Sequence, residues 1–124
     1  MEILVVEDDI SFSKVIKEAL SLWGYGAELV TSGNTALERM RVKLFDVILL
    51  DIYLRDCLGY HLIRHFKRIK QKVNIIAMTG YNSRELEKEV RRQGIIYYMI
   101  KPFDLDQIQV ILDHIANKNY RQNC

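Results

Sequence analysis

Proline and cysteine are scarce in this 124-residue chain, which has one proline, Pro102, and two cysteines, Cys57 and Cys124. The cysteines have no metal or redox spacing, and a chain of this length buries an ordinary single core without such staples. A Pro/Gly/Ser-rich linker and an internal repeat are also missing, as is any apolar run long enough to cross a bilayer. An acid at position 2 stands where a secretory leader would be basic, so a reduced, cytoplasmic protein is expected. No one sign of charge dominates. Eighteen basic residues against sixteen acidic ones leave a formal +2, too balanced to point to nucleic acid or an anionic membrane as a direct partner. The basic run Arg64 to Lys72, "RHFKRIKQK", reads first as a solvated helix face with its exit loop, and second as a partner surface. With 49% hydrophobic and 27% charged residues, the composition is that of a globular domain and excludes disorder.

Short β-rich runs alternate with segments of helical period. The strands are expected at Glu2 to Val6, Gly26 to Val30, Phe45 to Leu50, Val73 to Met78 and Ile95 to Ile100. Several are continuously apolar, as strands covered on both faces of a parallel sheet should be. The helices are expected at Ser11 to Trp23, Asn34 to Lys43, Tyr60 to Lys70, Ser83 to Gln93 and Leu105 to Asn117, with Gly24 as a stop and Asp104 as an N-cap. Five such βα units predict an α/β fold, a doubly wound three-layer sandwich over residues 1–118. Residues 119–124 read as a polar tail or the start of a linker, with no second domain following.

In an open parallel sheet the ligand site lies beyond the carboxyl ends of the strands. Glu7, Asp8 and Asp9 follow the first strand in "ILVVEDDI", Asp51 follows the third, Thr79 and Gly80 the fourth, and Lys101 and Pro102 the fifth. Asp8, Asp9 and Asp51 resist ionising together unless a cation compensates them. Oxygen ligands without histidine or cysteine suit a hard ion, and Mg²⁺ characteristically takes one or two carboxylates, waters and phosphate oxygens. An aspartate beside such an ion can act as a nucleophile toward phosphorus. Asp51, ending the central apolar strand, is the candidate, with Lys101 and Thr79 placed to meet phosphoryl oxygens. Taken singly, each of these residues has an ordinary explanation: a helix cap, a loop hydroxyl or a surface ion pair. Their combination at the ends of alternate elements argues for function.

This order and spacing resembles the receiver domain of two-component response regulators along essentially the whole chain. The resemblance implies a flavodoxin-like five-stranded parallel sheet of order 2-1-3-4-5. It makes Asp8 and Asp9 the acidic pair, Asp51 the phosphoacceptor, Thr79 the switch hydroxyl and Tyr98 the aromatic switch position. Lys101 matches the lysine of the last motif, "KPF", in which the Lys101-Pro102 peptide is expected to be cis. Within "DIYLRDCLG", Tyr53 would offer its backbone carbonyl to the metal, and Gly59 is the closing glycine. Strand alternation puts Tyr98 and Lys101 on opposite faces, so Lys101 can reach the phosphate while Tyr98 faces the fourth helix. The implied donor is a sensor histidine kinase or phosphotransfer protein, and the implied output is a changed surface on the fourth helix, fifth strand and fifth helix, a possible homodimer face. On this reading the domain has no separate substrate and is not an enzyme in the ordinary sense.

Three positions depart from the family pattern. Arg55 stands where proline is common, and Tyr53 and Tyr81 place bulky rings where they would flank the phosphate. The expectation is that these rings crowd hydrolytic water and lengthen the life of an aspartyl phosphate. Rival readings fail on what is missing. A haloacid-dehalogenase-type phosphatase wants an Asp at position 53, a flavodoxin wants a phosphate loop where acids stand, and no Walker A or dinucleotide fingerprint appears. His61 and His65 lack the glutamate of a zincin motif, and Cys57 reads as an incidental small residue. The alternative from another class is a phosphorylation-independent interaction module on the same fold.

Overall fold

Parallel pairing of five apolar runs organises the chain. The computed structural model describes the backbone of residues 1–123 and the side chains of residues 1–118. The elements alternate without exception: β1 (Glu2–Val6), α1 (Ile10–Leu22), β2 (Gly26–Val30), α2 (Gly33–Val42), β3 (Val47–Asp51), α3 (Gly59–Ile69), β4 (Asn74–Thr79), α4 (Arg84–Arg92), β5 (Tyr97–Ile100) and α5 (Leu105–Asn123). All pairings between the five strands are parallel, in the order β2-β1-β3-β4-β5. This is the three-layer doubly wound sandwich that the strand pattern predicts.

Alternation along the strands sorts the core into two layers. Leu4, Val6, Ile48, Leu50, Ile75 and Ala77 face α2, α3 and α4, meeting Met40, Phe66 and Val90. Ile3, Val5, Val47, Leu49, Ile76 and Met78 face α1 and α5, meeting Ile16, Leu20, Ile108 and Leu112. Burial of both faces explains why the strands read as continuous apolar runs rather than as alternating ones.

Except for α3, which follows Leu58 without a side-chain cap, the helices begin where small oxygen-bearing residues can accept orphan N–H groups. Asp9 accepts from Phe12, Ser32 from Thr35 and Ser83 from Leu86. Asp104, expected to cap the last helix, accepts from the Asp106 N–H at 3.3 Å. Gly24, at φ +89°, ends α1 in a conformation that side chains avoid. Five strand boundaries shift from expectation: both ends of β3 and of β4, and the start of β5, which begins at Tyr97 rather than Ile95. Asp51 and Thr79 are the last residues of β3 and β4, because each pairs with a neighbouring strand, to Met78 and Ile100 respectively. Phe45 lies outside the ladder yet is fully buried, its apolar ring rather than strand pairing accounting for its place in the pattern. Helix α5 runs past Asn117 through the segment read as a tail, and Cys124 lies outside the described residues.

Gly59 opens α3 directly against the end of β3. A Cβ there would collide with the Asp51 carbonyl oxygen and come within 2.9 Å of the Ile52 Cα, both backbone atoms that cannot step aside. Gly59→Ala is therefore expected to lower stability by about 1–3 kcal/mol in urea denaturation. Gly80→Ala, which meets nothing within 4 Å, should change it by less than about 0.5 kcal/mol. Equal midpoints for the two variants would show that the loop after β3 yields.

Candidate functional site

Sheet register brings the strand ends level. Val6 pairs with Leu50, and Thr79 with Ile100, so Glu7, Asp51, Thr79 and Lys101 emerge together at the carboxyl edge. Alternation then decides which way each side chain goes. Glu7 continues the parity of Ile3 and Val5, Asp51 that of Val47 and Leu49, and Lys101 that of Met99, so all three belong to the α1/α5 side. Thr79 continues the parity of Ile75 and Ala77 and belongs with Tyr98 on the α2–α4 side.

Glu7 is fully buried and Asp51 only 6% exposed. The Lys101 ammonium donates to Glu7 and lies 3.3 Å from Asp51 Oδ2, with the Phe12 ring 4.6 Å from its nitrogen. Burial and the neighbouring Asp51 carboxylate push the Glu7 carboxyl up to about 7, against the opposing pull of Lys101. Burial also works against the charge on Lys101, but the carboxylates of Glu7 and Asp51 outweigh it and hold the ammonium above its ordinary range. The Lys101-Pro102 peptide is cis.

Carboxylate oxygens of Glu7, Asp8 and Asp51 lie within 4.8 Å of one another, the one group among the described residues able to hold a metal. An oxygen-only set of this kind fits a hard divalent cation. Asp9 is not brought into it. Its carboxylate caps α1, accepting from Phe12 N at 3.1 Å, and the third carboxylate of the group is that of Glu7. Parity was the signal for this: Glu7 sits in phase with the inward residues Ile3 and Val5 and next to Asp51 across the ladder. His61 and His65 join no such group, and the His61 ring packs edge-on against Tyr60 at 4.3 Å.

The loop after β3 is tied down at two points. Asp8 Oδ2 accepts from the Arg55 N–H at 2.9 Å, a donor that proline at this position would lack. Asp56 accepts from the N–H groups of Gly33 at 3.1 Å and Asn34 at 3.3 Å, at the start of α2, and the Gly33 bond leads in holding its carboxyl below the ordinary range. Burial, with Asp56 alongside, pushes the Cys57 thiol up, away from the reactive thiolate.

Asp51 Oδ1 accepts from the Tyr53 N–H at 2.9 Å. The Tyr53 ring meets that of Tyr81 edge-to-face, with centroids 5.5 Å apart, so residues from two separate loops form one aromatic pair beside the site. Spacing within either loop gave no sign of that contact. The Thr79 hydroxyl donates to the Tyr81 carbonyl at 2.9 Å and accepts from the Tyr81 N–H at 3.0 Å. Tyr98 is buried toward α4, its hydroxyl donating to Asn82 at 2.9 Å and its ring 5.6 Å from the Arg91 guanidinium.

Comparison with known proteins places this geometry. A family model described as the response regulator receiver domain matches residues 3–113. The transcriptional regulatory protein ZraR of Escherichia coli K12 is 35% identical over 113 residues, which are 91% of this chain and 26% of ZraR. The chain thus spans about a quarter of the length of the ZraR relatives it matches. A CheY-like receiver domain protein from Methanospirillum hungatei superposes with a TM-score of 0.89 at 26% identity, covering 97% of each chain. The BeF3-activated receiver domain of DrrB superposes at 0.85 with 25% identity, covering 94% of this chain and 97% of its own.

The Glu7 proton makes stability depend on pH. The folded, metal-free protein holds that proton more tightly than the unfolded chain, whose carboxyl titrates near 4.5. The resulting stabilisation is complete below about 4.5 and is lost as the pH rises through about 7. Thermal denaturation in chelator should show this loss, Glu7→Gln should flatten it, and Mg²⁺ above pH 7 should raise the midpoint by binding the folded state. An unchanged pH profile in Glu7→Gln would assign the proton to another group.

Proposed function

The chain belongs to the response regulator receiver domain family, and we propose that Asp51 accepts a phosphoryl group with the help of Mg²⁺. The observation that carries this reading is the Asp51 carboxylate, nearly buried at the end of β3, with Lys101 3.3 Å away and two further carboxylates alongside. Glu7, Asp8 and Asp51 would hold the ion, with the Tyr53 carbonyl as a further oxygen. Mg²⁺ supplies charge compensation for the carboxylates and for phosphoryl oxygens.

In the proposed reaction a carboxylate oxygen of Asp51 attacks the phosphorus of a phosphohistidine. The O–P bond forms as the P–N bond breaks, and the imidazole leaves with the electron pair. Lys101 holds charge on the phosphoryl oxygens, a task in which positioning and electrostatics are most of the catalysis. Hydrolysis reverses the modification: water attacks phosphorus and restores the Asp51 carboxylate. The domain thus acts on itself and turns over no separate substrate.

Thr79 links this step to the surface. Its hydroxyl would leave the Tyr81 carbonyl for a phosphoryl oxygen, releasing the loop between β4 and α4. Asn82, the partner of the Tyr98 hydroxyl, lies in that loop, so the packing of Tyr98 against α4 would change with it. The surface of α4, β5 and α5 would then favour a different partner, or a second copy of the chain, by population shift. A sensor histidine kinase or phosphotransfer protein is the proposed donor.

Intact mass after incubation with acetyl phosphate tests the reading. One phosphoryl group should appear only with Mg²⁺, and none in Asp51→Asn; labelling that persists in the variant would move the acceptor elsewhere. The aromatic pair is tested by the decay of the labelled protein. Tyr53→Asn and Tyr81→Ala are each expected to speed dephosphorylation several-fold, and rates at or below the parent's would show that the rings do not restrict water.

A further inference from the structure

We propose that the groove between α3 and α4 docks an acidic segment of a partner protein. The groove is a cavity of about 620 Å³, and Arg64, Lys67 and Arg68 supply its α3 wall. Their i, i+3, i+4 spacing sets the three cations along one flank, about one helical turn from end to end.

None of the three has a salt-bridge partner among the described residues. Helix α3 is anchored by other residues, Leu62, Ile63 and Phe66, which pack into the core at 5% exposure or less. The core therefore does not call on these cations, although Lys67 and Arg68, in the last turn of α3, complement its dipole. On the facing wall, the carboxylate of Glu89 is already taken by Arg92 at 3.3 Å. The groove thus presents an uncompensated positive strip to whatever enters it.

Carboxylates spaced one turn apart on a partner helix match that strip, and the Tyr60 and His61 rings at the same groove offer apolar contact beside it. Nucleic acid is the poorer fit. The net charge is only +2 and the sequence pI about 8.5, whereas a duplex footprint needs a longer basic stripe than one turn of helix. The groove includes a wall of α4, the helix against which Tyr98 packs, so an occupant would sit on an element that the proposed switch moves.

Amide shifts of the isotope-labelled full chain, titrated with a helical peptide carrying glutamates one turn apart, test the proposal. Shifts should concentrate on α3 and the end of α4. Arg64→Glu/Arg68→Glu should weaken binding about tenfold or more, as expected when complementary charges are reversed. Lys72→Glu/Lys118→Glu, at a separate cavity near the amino ends of β4 and β5, should leave it unchanged. Labelling of Asp51 by acetyl phosphate is expected to persist in the first double variant, which separates loss of docking from loss of fold. Equal weakening in both double variants, shifts centred on Lys72 and Lys118, or tighter binding of a DNA duplex at the same salt would overturn the proposal.

Discussion

An ammonium group held between two carboxylates at the edge of the sheet is the interaction on which the site depends. Glu7 and Asp51 are carried there by strands whose apolar residues have no alternative to burial, so their proximity is imposed by the core rather than chosen by the charges. Left alone, two nearly buried carboxylates would repel each other and one would keep its proton. Lys101 offsets much of that cost, and it arrives only when β5 has docked against β4. The charged cluster is thus completed by the last strand of the sheet, and the same hydrophobic burial that forms the sheet sets its geometry.

Strand alternation divides the work between two faces. The charged cluster lies on the side of α1 and α5, where Phe12 supports the lysine from below. Thr79 and Tyr98 lie on the other side, where α4 packs. A single β4 residue, Thr79, stands at the boundary, its backbone carbonyl bonded to the Lys101 N–H at 2.7 Å and its hydroxyl bonded to the loop that leads into α4. One hydroxyl and one short loop therefore connect the two faces, the route along which the proposed switch would act.

Most of the fold was legible because its determinants are local and repeated: five apolar runs, each followed by a helical period. Asp51, Thr79 and Lys101 were legible for a related reason, since each stands at or directly after the end of a strand. The acids after β1 were harder. Three in a row satisfy any count of carboxylates, and only the parity of Ile3 and Val5 separates inward Glu7 from Asp9, which the helix claims as its cap. The Tyr53–Tyr81 contact and the bond from Arg55 to Asp8 were not legible, because each joins segments far apart in sequence whose approach is set by tertiary packing.

Those less legible contacts bear on how readily the site can change state. The Arg55 N–H on Asp8 and the Thr79 hydroxyl on Tyr81 occupy groups that the proposed metal and phosphoryl ligands would engage. Each exchange trades one hydrogen bond for another interaction, and the net worth of such a bond is about 1 kcal/mol, with bonds to charged groups somewhat higher. The strand ladder beneath holds none of these exchangeable groups, and of the apolar layers only Tyr98, at the rim of the one facing α4, is bonded to the loop concerned. If the proposed switch operates, exchanges of this size would leave two loop arrangements within a few kcal/mol of each other, the condition under which a single added phosphoryl group suffices to shift the population.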